Sequence, residues 1–291
     1  MSAEPRSTRV RPRGQAVGHR APSSILKHAV ILVAVLIVIV PVYFMIITAL
    51  KAQDDYSLNK FGLPAQIYLG NVVTSLRNGR FLLWFVNSVI LSLGSVLLST
   101  SASAFAAFAF ARMRFRINRP LLSVIASLMV IPPVVMIIPI FLMLSRLKLT
   151  STYPGAIVIY AGIVTPFSVY LLTNFFKSIP HEIVESALID GASSLGILFR
   201  IMLPLSGPAL VTLIVVNTLW VWNDLLIALV LLPKDELRTL MVGITVFGSR
   251  YNRDVPVAMT GMVLASLPML ALYLFGQRYF IRGLLAGALK G

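Results

Sequence analysis

Long uncharged apolar runs, separated by short polar segments, make up most of the chain. A helix needs about 20 apolar residues to cross the hydrocarbon core of a bilayer. Because lipid offers the backbone no hydrogen-bond partners, such a run is predicted to be helical, or shielded by its neighbours where prolines interrupt it. Six runs qualify: residues 29–50, 81–111, 120–145, 149–176, 201–223 continuing past Asp224 to 233, and 255–277. The pattern predicts an all-α integral membrane protein with six transmembrane helices.

The composition agrees with this pattern and excludes several classes of protein. The chain has 58% hydrophobic and only 12% charged residues, which leaves too little polar surface for a soluble protein of 291 residues. Its net charge of +15 is spread over short segments between the apolar runs, as beside a membrane, so no nucleic-acid partner is expected. The sequence has no Cys and only three His, none of them within a span, so we expect neither disulfides nor a metal site.

The distribution of Lys and Arg predicts the orientation in the membrane. With both termini in the cytoplasm, the cytoplasmic side would hold fifteen of the 25 Lys and Arg, including four in the short turn after the second span. Residues 1–27 are rich in Arg, Pro, Ser and Gly and are predicted to form a disordered, basic cytoplasmic tail. Residues 28–282 would then form the transmembrane domain, and residues 283–291 a cytoplasmic C-terminal tail.

The second span has a small residue at every fourth position: Ser95, Ser99, Ser103, Ala107 and Ala111. Small side chains on one face of a helix let two backbones approach closely, which favours helix association in lipid. We therefore expect this face to be a packing seam and not a chemical site.

The polar segment between the fourth and fifth spans, residues 178–205, has the features of a helical hairpin. Ser178 is a candidate N-cap, and Pro180 suits the first helical turn. Glu185 would lie near the positive end of the helix dipole. Gly191 can turn the chain, after which an apolar pattern resumes. The predicted apolar stripe of the first helix comprises Ile183, Val184, Ala187, Leu188 and Gly191.

An amphipathic helix at this place could also lie among lipid headgroups. Such helices carry Lys and Arg on the polar face, whereas this one carries Glu182, Glu185 and Asp190. Because anionic lipid repels an acidic face, a protein partner is the better interpretation. The small residues Ala187 and Gly191 would let that partner approach closely.

This segment resembles a motif of the bacterial ABC importer permeases. The family pattern reads E-A-A, D-G-A and I-x-L-P at fixed spacing, and the matching residues here are Glu185-Ser-Ala187, Asp190-Gly191-Ala192 and Ile201-x-Leu203-Pro204. Only Ser186 departs from the pattern, replacing one small side chain by another. The resemblance implies a short coupling helix seated in a cleft of a separate ATP-binding subunit. Asp190 and Gly191 would form its turn, and Glu185 its charged contact.

The C-terminal sequence, residues 277–291, resembles the Q-R…G-L-T-A-G-x-x-K-G ending of the carbohydrate-uptake branch of that family, with Leu in place of Thr. This ending indicates the smaller of the two permeases in maltose-type systems. In those systems the tail reaches between the two ATP-binding subunits, and the implied contacts here are Gly283, Gly287, Lys290 and Gly291. A frayed terminus is the alternative, because glycines would suit it as well.

The fifth span has one polar and aromatic face, formed by Asn217, Trp220 and Asp224, with Asn223 beside it. A sugar presents apolar ring faces and polar hydroxyls, so aromatic rings with amide and carboxylate groups could line its path. The alternative is that Trp220 and Trp222 belong to the interfacial aromatic belt and that Asp224 lies near the surface.

The polar segment between the fifth and sixth spans, residues 243–256, would face outward. In maltose-type permeases a loop at this place reaches toward the external binding protein. The resemblance therefore implies a binding-protein contact through Ser249, Arg250, Tyr251 and Asn252.

Together these features predict a membrane-spanning permease subunit of an ATP-driven importer in the bacterial cytoplasmic membrane. The resemblance implies a heterodimer with a second permease, two ATP-binding subunits, an external solute-binding protein and a sugar or oligosaccharide cargo. No G-x-x-x-x-G-K-[ST] loop occurs, so ATP and Mg would be held by the partner ATPase subunits, and the chain itself would be no enzyme.

Two alternatives remain at this stage. The same machine could import glycerol phosphate or an acidic oligosaccharide, because the residues of the path do not decide between these cargoes. A stand-alone ion-coupled carrier is the other, although that class uses midplane ionisable residues and internal repeats. The spans contain one carboxylate, Asp224, and show no evident repeat.

Overall fold

The computed structural model describes residues 24–77, 80–113, 115–250 and 254–288, without the side chains of residues 24–25, 247–250 and 278–288. Within these ranges every regular element is helical, as predicted. The helices are α1 (Ser24–Ala49), α2 (Gln53–Leu58), α3 (Gly70–Arg77), α4 (Phe81–Arg112), α5 (Asn118–Leu128), α6 (Pro133–Arg146), α7 (Tyr153–Ser178), α8 (His181–Ile189), α9 (Ser194–Ile197), a π-helix (Leu198–Met202), α10 (Leu203–Leu205), α11 (Gly207–Asn223), α12 (Leu226–Leu231), α13 (Leu240–Arg250) and α14 (Val255–Ala288).

The chain divides into two units, Met1–Phe44 and Met45–Gly291. The first unit contains most of α1. The segment Leu26–Ala49 of this helix reaches a mean hydropathy of 3.3, which is typical of a membrane span. The helices from α2 onward belong to the second unit.

Within the second unit, polar side chains anchor the last residues of α1. The side-chain amide of Asn71 donates to the carbonyls of Ala49 at 2.8 Å and Lys51 at 2.7 Å. The hydroxyl of Thr260 on α14 donates to the same Ala49 carbonyl at 3.0 Å. Carbonyls at a helix end have no partner within the helix, so these bonds satisfy groups that would otherwise be buried without one.

The predicted packing seam of the second span is confirmed, because α4 packs along α7 through its small residues. Its completely buried members are Ser95, Ser99, Ser103 and Ala107. Ser99 Oγ lies 3.1 Å from Thr165 Oγ1 on α7. Further along the pair, Ala107 joins Leu172 and Phe176 of α7 in one apolar cluster. Close backbone approach of this kind is what small residues permit.

Ser103→Leu should destabilise this helix pair, because Ser103 is completely buried and a larger side chain has no room there. Overpacking costs about 1–3 kcal/mol. We expect a lower midpoint of thermal unfolding for the purified full-length chain in detergent, followed by tryptophan fluorescence. The matched control is Ser101→Leu, at an exposed position of the same helix. Equal midpoints for the two variants would contradict the assignment of the seam.

Two of the six predicted spans are sharply bent. α5 and α6 meet at 97°, and the helical segment Ser194–Leu205 meets α11 at 77°. In the described part of the chain, four helices are long and apolar enough to cross a membrane, and the number reaches six if each bent pair is one span. The first bend lies at Pro132, which is extended, with φ −63° and ψ 127°. Prolines lack the N–H of a helical bond and disfavour helix in the residue before them.

The predicted continuation of the fifth span past Asp224 is wrong. α11 ends at Asn223, Asp224 is extended with φ −70° and ψ 131°, and α12 begins at Leu226. The cause is the carboxylate of Asp224, because Oδ2 accepts a hydrogen bond from the N–H of Ala228 at 3.0 Å. A carboxylate that accepts from the first turn of a helix starts a new helix instead of prolonging the previous one.

The ends of two other helices also differ from the apolar runs. α7 begins at Tyr153, four residues after the start of the run, because the hydroxyl of Thr152 caps it by accepting from the N–H of Gly155 at 3.2 Å. At the C-terminal end, α14 continues to Ala288. The predicted boundary between the transmembrane domain and the C-terminal tail, between residues 282 and 283, therefore does not coincide with a helix end.

Candidate functional site

The hairpin of residues 178–205 starts where α7 ends, and Arg112 holds its base. Nη2 of Arg112, the last residue of α4, donates to the carbonyls of Phe176 and Ile179, each at 2.8 Å. These carbonyls belong to the end of α7 and the residue after it. The interaction places a positive charge at the negative end of the α7 dipole. It also fixes the start of the hairpin to the end of α4.

The prediction that Ser178 caps the first hairpin helix is wrong. The Ser178 hydroxyl donates back to the carbonyl of Phe175 at 2.7 Å, so it belongs to the end of α7. α8 begins at His181, with Pro180 in the N-cap position and not inside the first turn. Glu182 lies in that first turn, as predicted. The N-cap has no side-chain hydrogen bond because proline offers neither an N–H nor a side-chain acceptor.

The predicted turn at Asp190 and Gly191 is present. Gly191 has a φ of +80°, the left-handed region in which glycine carries no Cβ penalty. The N–H of Gly191 donates to the carbonyl of Leu188 at 3.1 Å, and the N–H of Ala192 donates to that of Ala187 at 2.9 Å. These paired bonds form a Schellman motif, which ends a helix by satisfying its last carbonyls. The turn is therefore built by the backbone of the D-G-A sequence.

The second arm of the hairpin has two features that sequence reasoning missed. The hydroxyl of Ser193 caps α9 by accepting from the N–H of Gly196 at 3.1 Å. A Ser directly before a resumed apolar pattern was the available signal. The following residues, Leu198–Met202, are π-helical, and Met202 is completely buried. We find no sequence signal for the π-helix.

The predicted apolar stripe of α8 divides into a buried part and an exposed part. Val184 is buried, and Ala187 and Ala192 pack against the same core, which comprises residues of α4, α7 and α9. Ala187 therefore supports the hairpin from behind, and the expectation that it leaves space for a partner is wrong. In contrast, Leu188 is 53% and Ile189 is 86% exposed.

The exposed surface of the hairpin is acidic as well as apolar. We call it the hairpin tip and define it by its exposed residues Glu182, Ile183, Glu185, Leu188, Ile189 and Asp190. Oε1 of Glu185 lies 3.4 Å from Nδ1 of His181 one helical turn earlier. Sequence reasoning missed Ile189, because it lies outside the apolar stripe. Of the I-x-L-P residues, Leu203 packs partly against the core and Pro204 is exposed.

The predicted polar face of α11 is only partly assembled. Asn217 is almost completely buried, and its Nδ2 donates to Ser168 Oγ on α7 at 2.8 Å. Ser168 Oγ lies 3.4 Å from Ser99 Oγ on α4. One polar line therefore joins α4, α7 and α11. Sequence reasoning assigned Ser99 to packing alone and missed Ser168, since hydroxyls on separate spans give no shared pattern.

Trp220 lies next to this line, beside a mainly apolar cavity. The indole is 37% exposed and packs edge-on to Tyr160, with ring centroids 6.2 Å apart. Together with Asn217 it lines a cavity of about 240 Å³ that also contacts Phe167 and Pro133. An apolar cavity with one amide and one indole can accept a ring with polar substituents.

Asp224 and Asn223 do not join Asn217. Oδ2 of Asp224 accepts from the hydroxyl of Tyr160 at 2.6 Å, in addition to its bond from Ala228. Asn223 is exposed and donates to the carbonyl of Leu219 in its own helix at 2.8 Å. Trp222 is buried and donates to the carbonyl of Ala265 at 3.3 Å, so its assignment to an interfacial belt is wrong.

Comparison with known proteins identifies the family. Residues 99–285 match the family described as binding-protein-dependent transport system inner membrane component. The chain belongs to this family. It is 41% identical to a putative ABC transporter permease protein of Caldicellulosiruptor sp. strain Rt8B.4, over 88% of this chain and 93% of the relative. It is 32% identical to the melibiose/raffinose/stachyose import permease of Bacillus subtilis strain 168, over 87% and 91%.

A solved structure has the same fold. This is the crystal structure of a bacterial ABC transporter involved in the import of the acidic polysaccharide alginate, with a TM-score of 0.78 and 24% identity. The match covers 88% of this permease and 95% of that chain. The permease is therefore a multi-pass component of the inner membrane, as predicted, and a transport subunit by family. Membership of a binding-protein-dependent family also removes the stand-alone carrier from the alternatives.

Two sets of predicted contacts of the permease lie mostly outside the described residues. Ser249 and Arg250 are the last two residues of α13, and the structure describes their backbone but not their side chains. Tyr251 and Asn252 lie outside the described residues. The backbone of Gly283 and Gly287 is part of α14, whereas Lys290 and Gly291 are outside the described range. Their binding-protein and ATPase contacts therefore stay predictions.

Asp224→Ala should lower the stability of the permease, because it leaves the buried Tyr160 hydroxyl without its acceptor and uncaps α12. The loss of one buried partner costs about 1–3 kcal/mol. We expect a lower midpoint of thermal unfolding for the full-length chain in detergent. The neighbouring change Asn223→Ala is the control, since that amide is exposed and bonds only its own helix. If both variants unfold like the parent, Asp224 has no capping role.

Proposed function

We propose that this permease carries a sugar or oligosaccharide into the cytoplasm and receives its driving force through the hairpin of residues 178–205. The cargo class is supported by the printed name of a relative at 32% identity, which imports melibiose, raffinose and stachyose. The amide of Asn217 and the indole of Trp220 beside one cavity suit a sugar ring. Import of glycerol phosphate or an acidic oligosaccharide by the same machine is the alternative.

The observation that carries the coupling role is the contrast between the two sides of the hairpin. Its inner side is held by Val184, Leu198 and Met202, all buried in the core. At its tip, the side chains of Glu185, Leu188 and Ile189 are exposed on the surface of the molecule, and Ile189 is almost fully exposed. An exposed apolar group rimmed by charges is typical of a protein contact. We infer that a separate ATP-binding subunit contacts the tip.

The proposed assembly follows the family. A second permease would complete the pore, two ATP-binding subunits would hold ATP and Mg, and an external solute-binding protein would deliver the cargo. Both termini would lie in the cytoplasm, on the side of the hairpin. The family description itself, binding-protein-dependent transport, supports the external partner.

The hairpin is connected so that force on its tip reaches the spans. Arg112 binds the start of the hairpin to α4, and the core residues bind its second arm to α7. In our proposal, closure of the ATP-binding subunits pushes on the tip and moves α4 and α7 together as one body. Rigid-body rotation of packed helices then switches the pore between its inward-facing and outward-facing states.

Gly191→Val should abolish transport while the permease still inserts in the membrane. A β-branched residue is strained at a φ of +80°, so the turn changes and the tip is displaced. A Cβ added at Gly191 would have no other atom of the chain within 4 Å, so the helix bundle has room for the larger side chain. The measurement is ATP-dependent uptake in cells, normalised to the amount of permease in the membrane.

Two further variants separate backbone strain from added bulk. Gly191→Asn should keep part of the uptake, because Asn tolerates the left-handed region better than Val. Ser194→Val adds similar bulk at an exposed position of the same hairpin and should transport normally. Normal uptake by Gly191→Val at a normal membrane level would refute the coupling role.

The cargo is tested separately, with the purified transporter in proteoliposomes together with its binding protein. We expect ATP-dependent accumulation of a neutral trisaccharide but not of an acidic trisaccharide or glycerol phosphate. Accumulation of either anionic compound in place of the neutral one would overturn the cargo proposal and leave the coupling proposal standing. Accumulation of the neutral sugar without ATP would refute the ATP-driven mechanism.

A further inference from the structure

A basic cleft lies between the turn that joins α4 to α5 and the base of the hairpin. It has a volume of about 790 Å³ and is open at the surface of the molecule. Four cationic side chains line it, and His181 lies at the same cleft. The four are Arg112, Arg116, Arg119 and Lys177. None of the residues that line it is acidic.

These cations have no carboxylate partner in the described part of the chain. The ion pairs among the described residues involve Arg80, Arg238 and His181, but none of the four cations of the cleft. Arg112 uses Nη2 for two carbonyls, while its Nε is buried and has no acceptor among the described residues. Like charges gathered without a counter-charge repel one another, so a bound anion would stabilise the cleft.

At the opposite end of α4, two arginines do have carboxylate partners. There, Arg80 and Arg238 both bind Asp235, at 2.5 Å and 2.6 Å. These two cations are therefore neutralised by the chain itself. The four cations of the cleft, by contrast, are gathered at one place with no acidic residue in the lining.

The position of the cleft matches the headgroup level of a bilayer. It lies at the ends of α4 and α7, both long and apolar enough to span a membrane. The 26 residues of α7 extend over about 39 Å at 1.5 Å per residue, beyond the roughly 30 Å hydrocarbon core. The end of such a helix reaches the depth at which lipid phosphates lie.

The surroundings of the cleft are apolar as well as basic. Met113 and Phe115 line it, and both are exposed. Ile117, in the same turn, is 61% exposed. A free phosphate ion would gain nothing from these side chains, whereas a lipid brings acyl chains next to its phosphate. Arg forks also match phosphate oxygens in geometry as well as charge.

We propose that this cleft binds the phosphate headgroup of an anionic phospholipid, with its acyl chains against the exposed apolar residues of the α4–α5 turn. The bound phosphate would face Arg112, Arg116 and Arg119 on one side and Lys177 on the other. Because Arg112 also holds the base of the hairpin, the lipid would brace the segment through which force enters the permease. This inference is independent of the cargo and of the identity of the partner subunits.

The test is native mass spectrometry of the full-length permease in detergent, titrated with phosphatidylglycerol or with phosphatidylcholine of the same acyl chains. We expect the parent to bind phosphatidylglycerol in preference to phosphatidylcholine. The double variant Arg116→Gln/Arg119→Gln should bind phosphatidylglycerol roughly 30-fold more weakly, which corresponds to about 1 kcal/mol for each basic side chain. Both side chains are exposed, so their loss leaves the core intact.

The controls match the change in charge. Lys60→Gln/Arg146→Gln removes two exposed cations that do not line the cleft and should bind phosphatidylglycerol like the parent. Arg116→Lys/Arg119→Lys keeps the charge and should retain most of the affinity. If the Gln variant aggregates, comparison of the Lys variant with the parent still measures the contribution of the guanidinium forks. Equal affinity of the parent for phosphatidylglycerol and phosphatidylcholine would refute the site.

Three further outcomes would overturn the proposal. Equal weakening in the Lys60/Arg146 control would indicate a general charge effect. Displacement of phosphatidylglycerol by inorganic phosphate or glycerol phosphate at equal concentration would indicate a site for a soluble phosphate. Unchanged lipid binding in Arg116→Gln/Arg119→Gln, with loss of a co-purified subunit of the transporter, would indicate that the cleft receives an acidic protein surface.

Discussion

The close packing of α4 against α7 sets the distances on which the three polar regions of the molecule depend. At one end, Asn87 of α4 accepts from the hydroxyl of Tyr153 at 2.6 Å and donates to the carbonyls of Glu236 and Arg238. In the middle, Ser99 meets the hydroxyl of Thr165. At the other end, Arg112 reaches the end of α7. The contacts of α4 with α7 depend on the close approach that the small residues of the seam permit, because larger ones would separate the two backbones.

The same seam shows how the bundle treats polar groups in an apolar setting. The Oγ atoms of Ser92, Ser95 and Ser103 are buried and have no hydrogen-bond partner among the described residues. A serine is retained at such a position for its size, and its hydroxyl lowers the stability compared with alanine. The hydroxyl of Ser99 is different, because it meets those of Thr165 and Ser168, and Asn217 of the third helix joins Ser168. The polar line thus forms where three spans converge, beside the cavity of Trp220.

Sequence reasoning predicted those features that depend on local chemistry. Apolar length locates the membrane helices, and the left-handed turn at Gly191 follows from the need for a residue without Cβ. It failed where a side chain had two possible partners. Asp224 could have faced a cargo but caps α12, and Ser178 could have opened α8 but closes α7. Ala187 shows a second kind of failure, since a small residue permits close approach from either side.

The hairpin end of the molecule separates two charges that the sequence places only a few residues apart. The tip carries Glu182, Glu185 and Asp190, whereas the cleft behind its base carries Lys177 and the arginines of the α4–α5 turn. An acidic tip is repelled by anionic lipid and so remains available to a protein, while the basic cleft attracts the same lipid. The two surfaces are connected through Arg112, which holds the hairpin to the spans from the side of the cleft. In the proposed arrangement, this charge pattern would orient the hairpin, with its base drawn toward the membrane surface and its tip directed away from it.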